Sequence, residues 1–488
     1  SFNVAVGHEA GKAVTTGVQN TIMGGLAGDA LTEGTRNIAI GTSALTSDTL
    51  GSRAVAIGGG TLLNQNFTTA TDSYNVAIGF TAGLAVTTGV QNTLIGGLAG
   101  DALTDADMNV AIGYLALTSD TLGSRSVAIG MNSLQAQNFT TATDTYNVAV
   151  GHNAGAEVTT GVQNTLIGGL AGDALNTSNN NVAIGYQALS TDVKGTKTVA
   201  IGYQALFDQN FSTNTDTYNV AVGYLAGANV TTGVQNTIIG GLAGDALTTG
   251  HDNVAIGISA LSTEDTGSET VAIGRSALFT QNAGAVDTYN VAVGAAAGRL
   301  VTTGVQNTII GGLAGDALNT GEKNVTLGYA SLSTDTKGAK STAIGYAALN
   351  AQNLTTATDT FNVAVGHEAG GAVTTGVQNT LIGGLAGDAL TDADFNVGVG
   401  YGALGADTLG NRSTAVGHNA LAAQNFTTAT SVHNCAFGFA TGQSVTTGTN
   451  NSFFGAQAGL SVSTGIQNTL IGALAGDATD DGSYNAAV

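Results

Sequence analysis

Asn3-Val4-Ala5-Val6-Gly7 decides the fold, because it keeps coming back. It recurs as Asn20-Thr21-Ile22-Met23-Gly24, as Asn37-Ile38-Ala39-Ile40-Gly41 and as Ala54-Val55-Ala56-Ile57-Gly58, then as Asn75-Val76-Ala77-Ile78-Gly79. The starts lie 17, 17, 17 and 21 residues apart, a cycle of 72. Further cycles begin near residues 147, 219, 290, 362 and 434, and the one that ends at 290 is a residue short. A length of 488 residues would ordinarily suggest about three domains. A fixed period overrides that and predicts one repeat array over 1–488, each unit touching only its neighbours.

Each unit is numbered here from its Asn position as zero. Position +4 is Gly in all 27 complete units, and +7 is nearly always Ala. A second Gly often falls at +14, as at Gly17, Gly51, Gly123 and Gly195. Short β-branched runs that stop at Gly in every unit rule out a helix. They predict a short strand, a Gly corner, a small inward residue and a second corner. The fold class expected is all-β: an elongated parallel β-solenoid of about 28 short coils, advancing about 4.8 Å per coil and so roughly 130 Å long. Alternation puts +1 and +3 on one strand face and +2 on the other. The expectation drawn here is that +1 and +3 fill the chain's own core. The +2 residues (Ala5, Ala39, Ala56, Ala77, Ala111 and Ala128, with Ile22 and Leu94) would then form a small-residue stripe shared between chains.

Composition agrees with thin, stacked β-structure. There are 73 Gly and no Pro or Trp, 43% of residues are hydrophobic and only 9% are charged. A disordered chain would carry more charge and Pro. The net charge of −21, from 33 acids and 12 bases, argues against a nucleic-acid partner, which needs a basic stripe. No apolar run reaches the roughly 20 residues that span a bilayer, so no membrane segment is expected. The single cysteine, Cys435, stands where other first coils carry Val and reads as a buried apolar residue. The chain starts at the edge of a unit and ends at Asn485-Ala486-Ala487-Val488, partway into another, and neither end has a polar cap, which suggests a segment of a longer chain.

Units such as Asn181-Val182-Ala183-Ile184-Gly185-Tyr186-Gln187-Ala188-Leu189, and Gly202-Tyr203-Gln204-Ala205-Leu206 after it, resemble the YadA-like head repeats of trimeric autotransporter adhesins. The chain also resembles the repeat regions of bacteriophage tail fibres. The resemblance runs through the whole chain and implies a left-handed β-roll, three parallel chains forming a rigid fibre. The 17-residue coils and the longer fourth coil depart from the adhesin head. The function this implies is the shaft of a phage tail fibre that presents a host-receptor-binding tip. The alternative is the passenger region of a bacterial surface adhesin. The location would be a virion tail fibre or the extracellular surface, and the partners would be two further copies of the chain. A host glycan or protein would be met through flanking regions. A membrane anchor in the flanking sequence would favour the adhesin, and neighbouring tail genes the phage.

No constellation unique to one place points to catalysis, no cofactor is implied, and the chain is not expected to be an enzyme. Acids recur at Asp29, Asp101, Asp173, Asp245, Asp316, Asp388 and Asp477 in a Gly-(Gly/Ala)-Leu-Ala-Gly-Asp coil, which shares the outline of calcium-binding nonapeptides. One Asp per cycle falls short of the 6–8 oxygens calcium prefers, so a structural turn is the leading reading and a cation site the second. Histidines 8, 152, 367 and 418 follow the Gly corner and read as solvated. The long fourth corner carries Phe67, Phe139, Phe211 and Phe426, with Tyr74, Tyr146 and Tyr218 near its end. These are candidate surface contacts, or else bulky plugs for a widened corner. A Thr pair such as Thr15-Thr16 recurs in only one coil type of four, too sparse for an ice-binding face.

Overall fold

A computed structural model describes residues 2–488, which are all-β with no helix. The chain is a parallel β-solenoid whose principal sheet has 28 strands, one per coil. It divides into two compact units, Ser1–Leu242 and Ala243–Val488. Each unit stacks coils in sequence order. In the first, Val76–Ile78 pairs in parallel with Thr93–Ile95, which pairs with Val110–Ile112. In the second, Val291–Val293, Thr308–Ile310 and Val325–Leu327 do the same. Register is strict: +1 faces +1 and +3 faces +3.

Beyond the three-residue strands the backbone still bonds from coil to coil. Gly83 N donates to Ala99 O at 3.0 Å, and Leu98 N donates to Phe80 O at 3.0 Å. This requires left-handed residues at fixed places. Position +6 (Thr81, Leu98, Leu115), position +8 in the third and fourth coils (Leu117, Leu134) and position +16 (Gln91, Met108, Arg125) all have φ between 48° and 62°. Such conformations disfavour L side chains by roughly 1–2 kcal/mol each. They turn N–H and C=O along the stack, where each meets a partner. The +14 glycines serve differently from the expected corner. Gly89 has no left-handed φ, but a Cβ on it would lie 2.4 Å from Ala106 O in the next coil.

The core lies on the opposite strand face from the one expected. Ala77, Leu94, Ala111 and Ala128, all at +2, are fully buried inside their own chain. The +1 and +3 residues, such as Val76, Ile78, Thr93 and Ile95, are half-exposed on the outside. The reason is volume. The interior behind the strand accepts a large +2 side chain only where +8 is Gly. A Cβ on Gly83 would sit 2.7 Å from Leu94 Cδ1, and one on Gly100 2.8 Å from Leu94 Cδ2. Where +8 is Leu, +2 is small: Ala111 with Leu117, Ala128 with Leu134, Thr326 with Leu332 and Gly398 with Leu404. Near the C-terminal end Phe453 fills a +2 position between Gly442 and Gly459. Cys435, a +1 residue, is accordingly half-buried on the outer face rather than in the core.

Asn at position zero closes the first three coils of each cycle. Asn92 Nδ2 donates to Ala106 O at 2.7 Å, tying the start of the coil to its end. Its Oδ1 accepts the N–H of Asn109 in the next coil at 2.9 Å. A carboxamide carries its donor and its acceptor on separate atoms, so it can reach both partners at once. A second buried device appears once per cycle, at +11, where the core column reads Val86, Leu103, Asp120, Gln137. Asp120 accepts from Gly123 N at 3.1 Å, Phe139 N at 3.0 Å and Gln137 Nε2 at 2.6 Å. Gln137 Oε1 accepts from Asn147 Nδ2 at 2.9 Å, which hands the chain on to the next cycle. Asp48–Gln65–Asn75 and Asp192–Gln209–Asn219 repeat the network. Desolvation pushes the Asp48 and Asp192 carboxyls above the usual range, against the pull of these hydrogen bonds. In the cycle that is a residue short, Glu264 replaces the aspartate and reaches Gln281 Nε2 at 2.9 Å, and no Phe is present in that corner.

Candidate functional site

The seven aspartates of the second coil do not converge. Each sits at +9, half-buried, and the ones within a unit are separated by whole cycles. Asp101 accepts from the Thr118 hydroxyl of the next coil. Asp173 accepts from Ser190 Oγ and Asp245 from Ser262 Oγ, both at 2.5 Å. Asp388 has Gly405 in the place of that hydroxyl, and Asp29 Oδ1 is buried without a partner. Asp316 lies near Arg299, and Asp477 in the last full coil is half-buried. Burial raises the carboxyls of Asp173, Asp316 and Asp388 above their ordinary value. Among the described residues no group of three or more His, Cys, Asp or Glu is arranged to hold a metal ion. An open cavity of about 430 Å³ lies beside Asp388, lined by Asn350, Glu368 and Gly371 among others. It opens where Gly371 stands in place of the Lys12 or Arg299 of other cycles.

The long corner sorts its aromatics into two kinds. Phe67, Phe139, Phe211 and Phe426 are only 5–7% exposed, so they are plugs under the corner and not surface contacts. Each backbone N–H is held by the buried aspartate below it, as Phe426 N is by Asp407 at 3.0 Å. Only Leu354 among the remaining corners fills the same slot. Tyr74, Tyr146 and Tyr218 are about half-exposed and each carries a cation from the coil before. Arg53 stands 5.3 Å from the Tyr74 ring, Arg125 5.7 Å from Tyr146 and Lys197 5.1 Å from Tyr218. The same cations pair with Asp72, Asp144 and Asp216. These are solvated clusters that pin the corner, worth little individually.

The histidines belong to a feature the sequence reading passed over. Position +5 is an exposed column in which rings stack from coil to coil. Tyr186, Tyr203 and Tyr224 follow one another at 5.8 and 5.3 Å. Tyr329, Tyr346 and His367 do so at 5.8 and 5.1 Å, and Tyr401, His418 and Phe439 at 5.4 and 5.5 Å. Reading the +5 residues as a column, rather than one histidine at a time, would have revealed it.

In each unit the outer strand face is a half-exposed apolar ladder. Val or Thr at +1 and Ile, Val or Leu at +3 repeat on most coils, half-exposed. At the C-terminal end it broadens to Phe437 and Phe454, stacked at 5.2 Å. No protein-family model matches the chain, and no curated protein sequence matches it.

Proposed function

We propose that the chain is the structural shaft of a bacteriophage tail fibre, a parallel homotrimer that carries a receptor-binding tip away from the virion. The observation that carries this reading is the outer strand face. An apolar ladder repeated on most coils of an acidic chain is more than a monomer normally leaves exposed. A parallel partner in register covers it, since equivalent coils then lie level, and closed three-fold symmetry leaves no unpaired copy of the face. A buried charge network once per cycle and the Asn ladder stiffen the coils from within, as a rigid shaft requires. The passenger region of a trimeric surface adhesin would use the same mechanics and stands as the alternative. The test places a charge on the outer face. Ile95→Asp, Ile112→Asp and Ile129→Asp together should leave the coils intact, because these side chains point away from the core, yet convert the assembly to monomers. Circular dichroism and light scattering read the two effects separately. A triple variant that keeps its oligomeric state sinks the proposal.

A further inference from the structure

Six long corners close the cycles, and in five of them the coil before carries a cation at +16: Arg53, Arg125, Lys197, Lys340 and Arg412. Four of these cations find an acid and a ring on the corner itself. Arg53 and Lys197 reach Asp72 and Asp216 at 2.7 and 2.6 Å, and Arg125 and Lys340 pair with Asp144 and Asp359. The same four stand 5.1–5.7 Å from the rings of Tyr74, Tyr146, Tyr218 and Phe361. Guanidinium and ammonium fill the spot alike, so it takes a positive charge beside a ring and a carboxylate. At the last corner Arg412 meets Ser431 at 2.7 Å instead of an acid.

The fourth corner has the acid and the ring but not the cation. Glu269 stands where the other five cycles carry Arg or Lys, and Asp287 and Tyr289 stand where Asp216 and Tyr218 do. Among the described residues no basic side chain pairs with Glu269 or Asp287. Ser268 bridges to Asp287 across the two coils, and the Tyr289 hydroxyl lies 3.4 Å from Asp287 Oδ2. The charges of Glu269 and then Asp287 push that hydroxyl above its usual range. All three side chains are exposed. Asp252, one coil earlier in the same column, adds a carboxylate that His251 Nδ1 already meets at 2.8 Å. The corner also lacks its plug. Ala283 stands where Phe211 does, and an open cavity of about 210 Å³ lies beside Asp287, lined by His251, Thr266 and Ser268 among others.

Neighbouring carboxylates disfavour each other's charge unless a cation stands between them. The other corners show which cation this geometry takes, and here the chain does not supply it. Among the described residues no three His, Cys, Asp or Glu converge for a metal ion, so the charge that fits is an organic one. We propose that the Glu269–Asp287–Tyr289 corner binds a guanidinium or alkylammonium group from outside the chain, in the place that Arg53, Arg125, Lys197 and Lys340 fill elsewhere. Two carboxylates suit the fork of a guanidinium, whose plane also stacks on the ring. The net charge of −21 draws such cations towards the chain. An arginine side chain of a partner protein and a free polyamine share this chemistry. The site lies within the second unit and does not depend on how many chains assemble.

The test is amide hydrogen exchange of the full chain with N-acetylarginine methylamide, its neutral citrulline analogue, spermidine or calcium chloride, all at one ionic strength. At about ten times its half-saturating concentration, a ligand slows exchange through any opening that breaks its site by about tenfold. Residues 265–289 should gain that protection with the arginine compound and not with the citrulline one. The equivalent residues 193–218, where Lys197 already fills the spot, should not change. Spermidine acting at lower concentration than the arginine compound would name a polyamine as the source, and the reverse order a protein side chain. Glu269→Arg supplies the cation from within. It should protect the corner without any ligand and abolish the response to the arginine compound, whereas Asp287→Asn should weaken that response severalfold. No response of 265–289 to either organic cation overturns the proposal. An equal response of 193–218 overturns it too, as does a response confined to calcium or a full response by the Glu269→Arg variant.

Discussion

At the scale of single residues, two kinds of glycine do different work. Gly96 has φ of +137°, and a Cβ on it would lie 2.4 Å from Gly113 O. Position and conformation both exclude a side chain. Gly96→Val should therefore cost more than the roughly 1–3 kcal/mol of a strained backbone alone. Because a repeat array does not unfold in one step, the loss should show as faster amide exchange around Gly79, Gly96 and Gly113. Unchanged protection there would mean the corner is assigned wrongly. The +4 glycines were legible in the sequence because the period repeats them without exception. The left-handed Leu117, Leu134 and Gln91 were not. Their side chains give no sign of a positive φ, and only the inter-coil hydrogen bonds explain it.

At the scale of one coil, strand, corner and period could all be read from Asn-Val-Ala-Ile-Gly and its spacing. Which strand face points inward could not be read from alternation, since alternation only groups residues. The missing signal was volume: Leu94 at +2 goes with Gly83 and Gly100 at +8, and Ala111 with Leu117. The buried Asp120–Gln137–Asn147 relay was hidden for another reason. Asp120 lies in a Ser/Thr-rich stretch that reads as a solvated turn, yet its side chain is fully buried. The relay gives the coils a pH dependence. Asp48 and Asp192 have carboxyls raised in the folded state above their ordinary 3.8. For an acid raised on folding, the unfolded chain gives up its proton at lower pH. The associated stability is complete below the unfolded value and is lost as pH rises through the folded one. Coils holding these two residues should therefore gain protection as pH falls from neutral towards 4, with intrinsic exchange rates corrected. Protection that declines steadily over that range would show that the hydrogen bonds to the carboxylates outweigh their burial.

At the scale of the whole molecule, the repetition itself carries the account. Nearly every coil presents Val, Ile or Thr at +1 and an aliphatic residue at +3, so a contact made by that face on one coil is offered by its neighbours. The sequence announced this repetition but not which strand face turns outward; the structure buries +2 and leaves +1 and +3 outside, which is where the proposed shared face would have to lie. The +2 alanines proposed from sequence as a meeting surface lie inside each chain, where a charge would unfold the coil instead of dissociating the assembly. Self-association through the outer face is the central claim, and sedimentation equilibrium of the unmodified chain tests it most directly. The expected result is a single species of three times the 47.9 kDa chain mass, unchanged over micromolar dilution. A monodisperse species at the mass of one chain would contradict it.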